Sequence, residues 1–377
     1  MPHIVVVGAG VLGLTAALTL VENLPPSTTQ ISVIAEWGPH LPSMNTSLTT
    51  SNEYVSPWAG AHFRPFPSAT EKEFEELKLT RKTLQYFQKL ASDHPESSVK
   101  FVKGVEYLED PSELYKTCAR GYTENLQNFK KLGVDERGFL GFEYDTWVVS
   151  PPMYLQYLYR KLQTKYGVKF ITLKLDSLQQ INILFSEKPK RPIIVNCTGK
   201  GLQYSGGTDP AYEPIRGQTL LINPPPDCPY LNKTITYQLA DKSWIFTIHR
   251  PLYGGVILGG TKQVGDTFLG IREEDTKHLF KLGERYFPSL MKLEARNGKE
   301  DNINKESRNG EKYFDVMKVN VALRPARRGG LRIEREKING QNVIHNYGAG
   351  GMGYELSYGA SLKVYSLVEE ILNESKL

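Results

Sequence analysis

Residues 4–7 are uniformly apolar, and after a glycine-containing break the apolar character resumes from 12 to 21. The first run has the length of a buried strand and the second that of a helix buried on most faces. Residues 31–35 predict a second strand. From 68 to 90 the spacing turns helical, with Phe74, Leu77, Leu84, Phe87 and Leu90 on one side and Ser68 and Glu71 spaced as a capping box. Pro151 and Pro152 open another helix, which carries Leu155, Leu158, Tyr159 and Leu162 on one face and ends at Gly167. Strand-like runs then dominate at 168–173, 192–197, 219–222, 256–258 and 314–321, broken by a helical stretch at 275–286. A last helix, 355–372, turns Leu356, Leu367, Val368 and Ile371 toward a core. The segment 297–312 nearly lacks apolar residues and reads as an exposed loop insertion.

This order predicts an α/β protein in which a Rossmann-like dinucleotide domain is interrupted by a β-rich substrate domain. The dinucleotide domain takes 1–65, 146–212 and 319–377, a helical part of the substrate domain takes 66–145, and its β-rich part takes 213–318. A length of 377 residues suits about two domains. Hydrophobic residues at 40% and charged residues at 23% exclude fibrous and disordered classes. The net charge of +5 is spread along the chain, so it gives nucleic-acid binding little support. Cys118, Cys197 and Cys228 form no CxxC pair, which predicts reduced thiols in an intracellular compartment and no metal site.

The apolar stretch near the N-terminus has no Lys or Arg before it, and its glycines argue against a signal peptide or membrane helix. Gly8, Gly10 and Gly13, with Ala9, Val11 and Leu12 between them, form GxGxxG between strand and helix. Gly8 allows a tight turn, Gly10 close approach of a diphosphate, and Gly13 close packing of helix on strand. The diphosphate would lie on the helix N-terminus, where free N–H groups and the dipole favour an anion. Glu36 ends the second strand, 23 residues beyond Gly13, and is placed to accept ribose hydroxyls. These residues leave FAD and NAD open.

Further fragments narrow the choice: SPWAG at 56–60, NCTG at 196–199, RGQ at 216–218, LGG at 258–260, LRPARRGG at 323–330 and HNYGAGGMGY at 345–354. Together, in order over nearly the whole chain, they resemble the D-amino-acid oxidase family, which includes D-aspartate oxidase. The resemblance implies a Rossmann-like FAD-binding domain and noncovalent FAD. It also implies oxidation of a D-amino acid to an imino acid, which hydrolyses to a 2-oxo acid and ammonia while oxygen becomes hydrogen peroxide. It adds Ser56, Gly60, Thr198, Gly199, Gly350, Gly351, Gly353, Tyr354 and Glu355 to the cofactor contacts, and Gly351 to the substrate contacts. Arg324 becomes the residue that grips the substrate α-carboxylate, a task for which a planar bidentate guanidinium is suited.

Three positions depart from the family pattern. Phe246 falls where relatives carry a tyrosine whose hydroxyl helps hold the carboxylate, and Tyr237 is a candidate replacement. Lys262 falls at a side-chain-selecting position. It either pairs with a second carboxylate, as in D-aspartate or D-glutamate, or is simply solvated. Glu355 falls near the flavin pyrimidine, where a carboxylate is unfavourable unless protonated or turned away. The last three residues, Ser375, Lys376 and Leu377, read as a peroxisomal address, implying an import receptor as partner and the peroxisomal matrix as location. Two rival readings stay open: a flavin amine oxidase or dehydrogenase of another substrate, and a non-enzymatic flavoprotein. So does a homo-oligomer; no membrane partner is expected.

Overall fold

The apolar run near the N-terminus forms the strand His3–Val7, buried along its whole length because strands pair with it on both sides and helices cover the sheet. The computed structural model describes residues 1–25, 29–41, 51, 53–293 and 312–374. The 297–312 insertion (apart from Lys312) and the C-terminal tripeptide lie outside the described residues. A six-stranded sheet runs in the spatial order Arg332–Ile338, Gln341–Tyr347, Ile193–Asn196, His3–Val7, Gln30–Ala35 and Lys169–Thr172. All its pairings are parallel except the first, an antiparallel hairpin. The chain leaves His3–Val7 for one neighbour and returns later to the other. The crevice beyond Val7 is therefore a topological switch point, where α/β sheets bind ligands.

Helices supply the apolar cover, among them Pro151–Arg160, which packs on Val11–Asn23. Val11–Asn23 and Gly353–Glu374 pack together on the sheet, and Glu71–Asp93 lies across Gly353–Glu374. Leu84, Phe87 and Leu90 join the same buried cluster as Leu14, Leu18, Tyr154, Leu158 and Val368. The helix Glu71–Asp93 thus packs into the dinucleotide layer. Its capping box is Thr70 with Glu73, not Ser68 with Glu71, because the Ser68 hydroxyl donates to the Arg120 carbonyl.

A nine-stranded sheet forms the second layer. Its strands from 66–145, Lys100–Leu108, Lys130–Val134 and Leu140–Val148, escape sequence reading because charged residues interrupt them. They continue through Lys233–Gln238, Trp244–His249, Val256–Gly259, Tyr212–Ile222 and the short Gln263–Val264. The long strand Val316–Arg327 pairs with Tyr212–Ile222 and brings Arg324 opposite Ile215. The expected boundary at 319 falls inside this strand.

Close approach of two helices depends on Gly359. A Cβ there would lie 2.2 Å from the Leu79 carbonyl oxygen, and the Gly359 N–H donates to Thr83 Oγ1 at 3.1 Å. Gly359→Ala is expected to lower unfolding free energy by about 1–3 kcal/mol, the usual cost of overpacking. Urea denaturation checks this, and an unchanged midpoint would contradict it.

Candidate functional site

The switch-point crevice opens into a cavity of about 640 Å³ that extends from Glu36 to the large sheet. At one end the glycines do separate steric work. Gly8 has φ +106°, and a Cβ on it would lie 2.4 Å from the Cys197 carbonyl oxygen. A Cβ on Gly13 would lie 1.9 Å from the Gly8 oxygen, so helix and turn meet only through glycine. Gly10 is the N-cap of Val11–Asn23, and the Val11 N–H donates to Ser56 Oγ at 3.1 Å. Ala9, Val11 and Leu12 line the cavity beside them. The Glu36 carboxylate lies just after its strand, 3.9 Å from Lys174 Nζ.

Thr198 and Gly199 reach the same cavity from the end of Ile193–Asn196. The Thr198 hydroxyl donates to Asn196 Oδ1 at 2.8 Å and accepts from the Leu202 N–H at 2.7 Å. From the other side comes the second glycine-rich turn. Gly350 has φ +56° and opens a 3-10 turn, Gly350–Met352, which runs into Gly353–Glu374. Two helix N-termini therefore face one cavity, each a favourable place for negative charge. Among the described residues, Ser56, Gly60, Gly350, Gly351, Gly353, Tyr354 and Glu355 all line it.

The segment around Ser56 is held by both layers. The Tyr354 hydroxyl donates to the Ser56 carbonyl at 3.0 Å. Buried Arg250 donates through Nη2 to the carbonyls of Pro57, at 3.0 Å, and Ala59, at 2.8 Å. Gly60 packs so tightly that a Cβ would lie 3.1 Å from Ile248 Cδ1.

Arg324 projects into the cavity from the large sheet. Nη1 donates to the carbonyls of Thr261, at 3.1 Å, and Arg216, at 3.4 Å, and among the described residues no carboxylate pairs with it. Burial lowers its pKa to about 10, which still leaves it charged near neutrality. The guanidinium lies flat over Gly217, where a Cβ would be 2.5 Å from both Nη1 and Nη2. Gly351 faces it, and a Cβ there would be 3.6 Å from Arg324 Cδ.

Phe246, on Trp244–His249, also lines the cavity, and its ring carries no hydroxyl. Tyr237 does not replace it. That residue is buried in the core of the large sheet, stacked on Tyr107, and its hydroxyl accepts from Arg137 Nη2 at 3.0 Å. Lys262 does reach the cavity, with Nζ 5.9 Å from the Trp244 ring centre. Arg64, which belongs to no motif, lies over the same ring at 5.5 Å and pairs with buried Glu106 at 2.7 Å. Asn320, also missed, lines the cavity with neither amide atom hydrogen-bonded.

A model of the family described as FAD dependent oxidoreductase matches residues 3–365. The chain belongs to this family. Its cofactor is FAD. The chain is 35% identical over 381 residues to a D-aspartate oxidase of Talaromyces thermophilus, covering 97% of this chain and 95% of that one. A D-amino-acid oxidase of Schizosaccharomyces pombe is 33% identical, with 95% and 94% covered. Among solved structures, L-proline dehydrogenase from P. horikoshii has a TM-score of 0.64 at 14% identity, covering 98% of this chain and 93% of that one. Glycine oxidase from Geobacillus kaustophilus has a TM-score of 0.63 at 14% identity, covering 98% and 95%. Those two likenesses concern the fold.

FAD suits this site. Gly10, the N-cap of Val11–Asn23, lines the cavity and presents a helix N-terminus to a diphosphate, and the Gly350–Gly353 turn offers backbone donors to the flavin end. Glu355 bears on that end. Burial raises its pKa to about 7, although the Arg64 and Arg81 charges and a 3.4 Å hydrogen bond from the Arg64 N–H oppose the rise. Of the two alternatives for this residue, protonated or turned away, the cavity position and raised pKa favour protonation.

A carboxyl whose pKa is raised on folding binds more protons in the folded state than in the unfolded one between about pH 4.5 and 7. Its contribution to stability is therefore lost as pH rises through that window. Glu355→Gln is expected to raise the thermal midpoint more at pH 8 than at pH 5. Calorimetry at both pH values checks this, and an equal shift at both would contradict it.

Proposed function

We propose that the protein is an FAD-dependent oxidase that deaminates D-amino acids to 2-oxo acids and ammonia, with acidic D-amino acids among its substrates. The observation that carries this reading is Arg324, a half-buried guanidinium without a carboxylate partner among the described residues, in the same cavity as the glycine turns that suit FAD. A guanidinium turned into a cavity suits an anion there, and an amino acid supplies one as its α-carboxylate. The named relatives support the substrate class.

FAD supplies the two-electron acceptor. The chain's own work is positioning: Arg324 fixes the carboxylate, and Phe246 and Trp244 wall the site and exclude water. With no hydroxyl at Phe246, the carboxylate relies on the Arg324 fork more heavily. Lys262 adds a cation toward which a second carboxylate can turn. Among the described residues it forms no ion pair, so its charge is not already committed to a protein carboxylate.

Anaerobic flavin bleaching by D-alanine, D-aspartate and their L-forms tests the reading. The D-forms are expected to bleach the flavin and the L-forms are not. Bleaching by sarcosine or a cyclic amino acid alone would favour an amine oxidase or dehydrogenase, and no bleaching at all would favour a non-enzymatic flavoprotein. Lys262→Met is expected to cut kcat/KM for D-aspartate about tenfold or more relative to D-alanine, the worth of one charge-assisted contact. An unchanged ratio would contradict the role of Lys262.

Peroxisomal location belongs to the same proposal, because a peroxide-forming oxidase fits that compartment and the Ser375, Lys376, Leu377 tripeptide matches its import signal. Deleting the tripeptide from a fluorescently tagged chain is expected to leave the protein cytosolic. Peroxisomal import of the truncated chain would contradict the assignment.

A further inference from the structure

The RGQ triplet has so far served only as a mark of resemblance, and no role in binding or chemistry has used the side chains of Arg216 and Gln218. Arg216 is fully buried in the strand Tyr212–Ile222, and each of its five N–H donors has an acceptor. Nε donates to the Phe268 carbonyl at 2.8 Å. Nη1 donates to Gln263 Oε1 and Asp275 Oδ2, both at 2.7 Å, and Nη2 to Gln218 Oε1 at 2.9 Å and the Gly270 carbonyl at 2.7 Å. Four of these five acceptors lie between residues 263 and 275.

Gln218 ties the neighbouring residues. Its Nε2 donates to the Arg272 carbonyl and to Thr276 Oγ1, each at 2.9 Å. Its backbone N–H donates to Thr261 Oγ1 at 2.8 Å, and its carbonyl accepts from the Thr261 N–H at 3.1 Å. Between them, Gly217 leaves the space in which the Arg324 guanidinium lies. Three consecutive residues thus hold the carboxylate-binding arginine and, on either side of Lys262, both Thr261 and Gln263.

Backbone pairing holds the segment's start: Gln263 and Val264 pair with Arg216 and Ile215, and the Gly265 N–H donates to the Pro214 carbonyl at 2.8 Å. Val264, Phe268 and Ile271 are each at least half exposed, so apolar burial does not fix its path. Beyond that pairing, its path rests on the Arg216 guanidinium, the Gln218 amide and the ion pair between Arg272 and Asp266. A lysine at 216 would offer three donors without the planar fork and would leave acceptors unmet.

We propose that Arg216 and Gln218 are positioning residues for substrate selection, setting where the Lys262 ammonium stands relative to the Arg324 guanidinium. The proposal rests on the reading of Lys262 as the partner of a second substrate carboxylate. It deepens that reading by assigning the selection of dicarboxylic D-amino acids to a clamp that touches no substrate. Loosening the clamp leaves Arg324 able to bind any α-carboxylate but lets the second cation wander, so two-point binding suffers more than one-point binding.

The experiment compares the Arg216→Lys and Gln263→Ala holoenzymes with wild type, using D-aspartate and D-alanine. FAD content and thermal midpoint are measured alongside to report on folding. In both variants KM for D-aspartate is expected to rise about tenfold more than KM for D-alanine, with kcat for D-aspartate within about twofold of wild type. A purely structural role would lower the thermal midpoint and move both KM values together, and that result in a folded variant would overturn the proposal. Should Arg216→Lys fail to fold, Gln263→Ala decides alone, since it removes one strut from a half-buried position. A wild-type holoenzyme that oxidises D-alanine but not D-aspartate overturns the dicarboxylate reading and this proposal with it. Oxidation of both with an unshifted KM ratio in the variants overturns the clamp alone.

Discussion

A guanidinium does not shed its proton near neutral pH, and one that backbone carbonyls use only in part, with its other donors facing a cavity, is placed to take an anion there. Arg324 is in that position. Two backbone carbonyls use one of its nitrogens, Gly217 supplies a flat floor, and the remaining donors face the cavity. The strand Val316–Arg327 delivers this charge from the large sheet to the crevice of the small one. The cofactor site and the carboxylate site therefore belong to different layers, and their mutual placement is set by whatever joins those layers.

Away from the cavity the layers meet through apolar packing, as Trp147 does on Phe87; beside it the joints are mostly polar. Arg250 reaches from the large sheet to the carbonyls of Pro57 and Ala59, and Tyr354 reaches from the last helix to the carbonyl of Ser56. Gly199, with φ +69°, lies against Pro325, so the turn after Ile193–Asn196 abuts the strand that carries Arg324. Each joint ends on a loop that lines the cavity. The ion pair between Arg64 and Glu106 works in the same sense, anchoring a cavity cation on a carboxylate with no exposed side-chain surface.

Much of the dinucleotide half is legible in the sequence because its signals are local. A strand, three glycines, a helix and a strand ending in Glu36 lie within 36 residues and need no distant partner to be recognised. The capping box shows the limit of local reading. The stretch Ser68, Ala69, Thr70, Glu71, Lys72, Glu73 contains the pattern twice, and only the Arg120 carbonyl, some fifty residues away, draws Ser68 off. The strands Lys100–Leu108 and Leu140–Val148 are harder still. Glu106 looks like a surface charge in sequence, yet Arg64, Tyr122 and Gln238 bury and satisfy it from three separate segments. The roles of Arg216 and Arg64 are hidden for the same reason, since a residue's partners define its role and those partners are remote in the chain. Tyr237 errs in the opposite direction: a plausible hydroxyl in sequence is committed to Arg137 in the fold.

The central claim is that Arg324 holds a carboxylate beside the flavin, and binding without turnover tests it most directly. Propionate has the carboxylate but no amine to oxidise, so its dissociation constant, read from perturbation of the flavin spectrum, isolates that contact. Arg324→Lys in the FAD-loaded enzyme is predicted to weaken propionate binding by about a hundredfold or more, while FAD content stays at the wild-type level. Propionate bound as tightly by the variant as by wild type would show that the anion is held elsewhere and contradict the account.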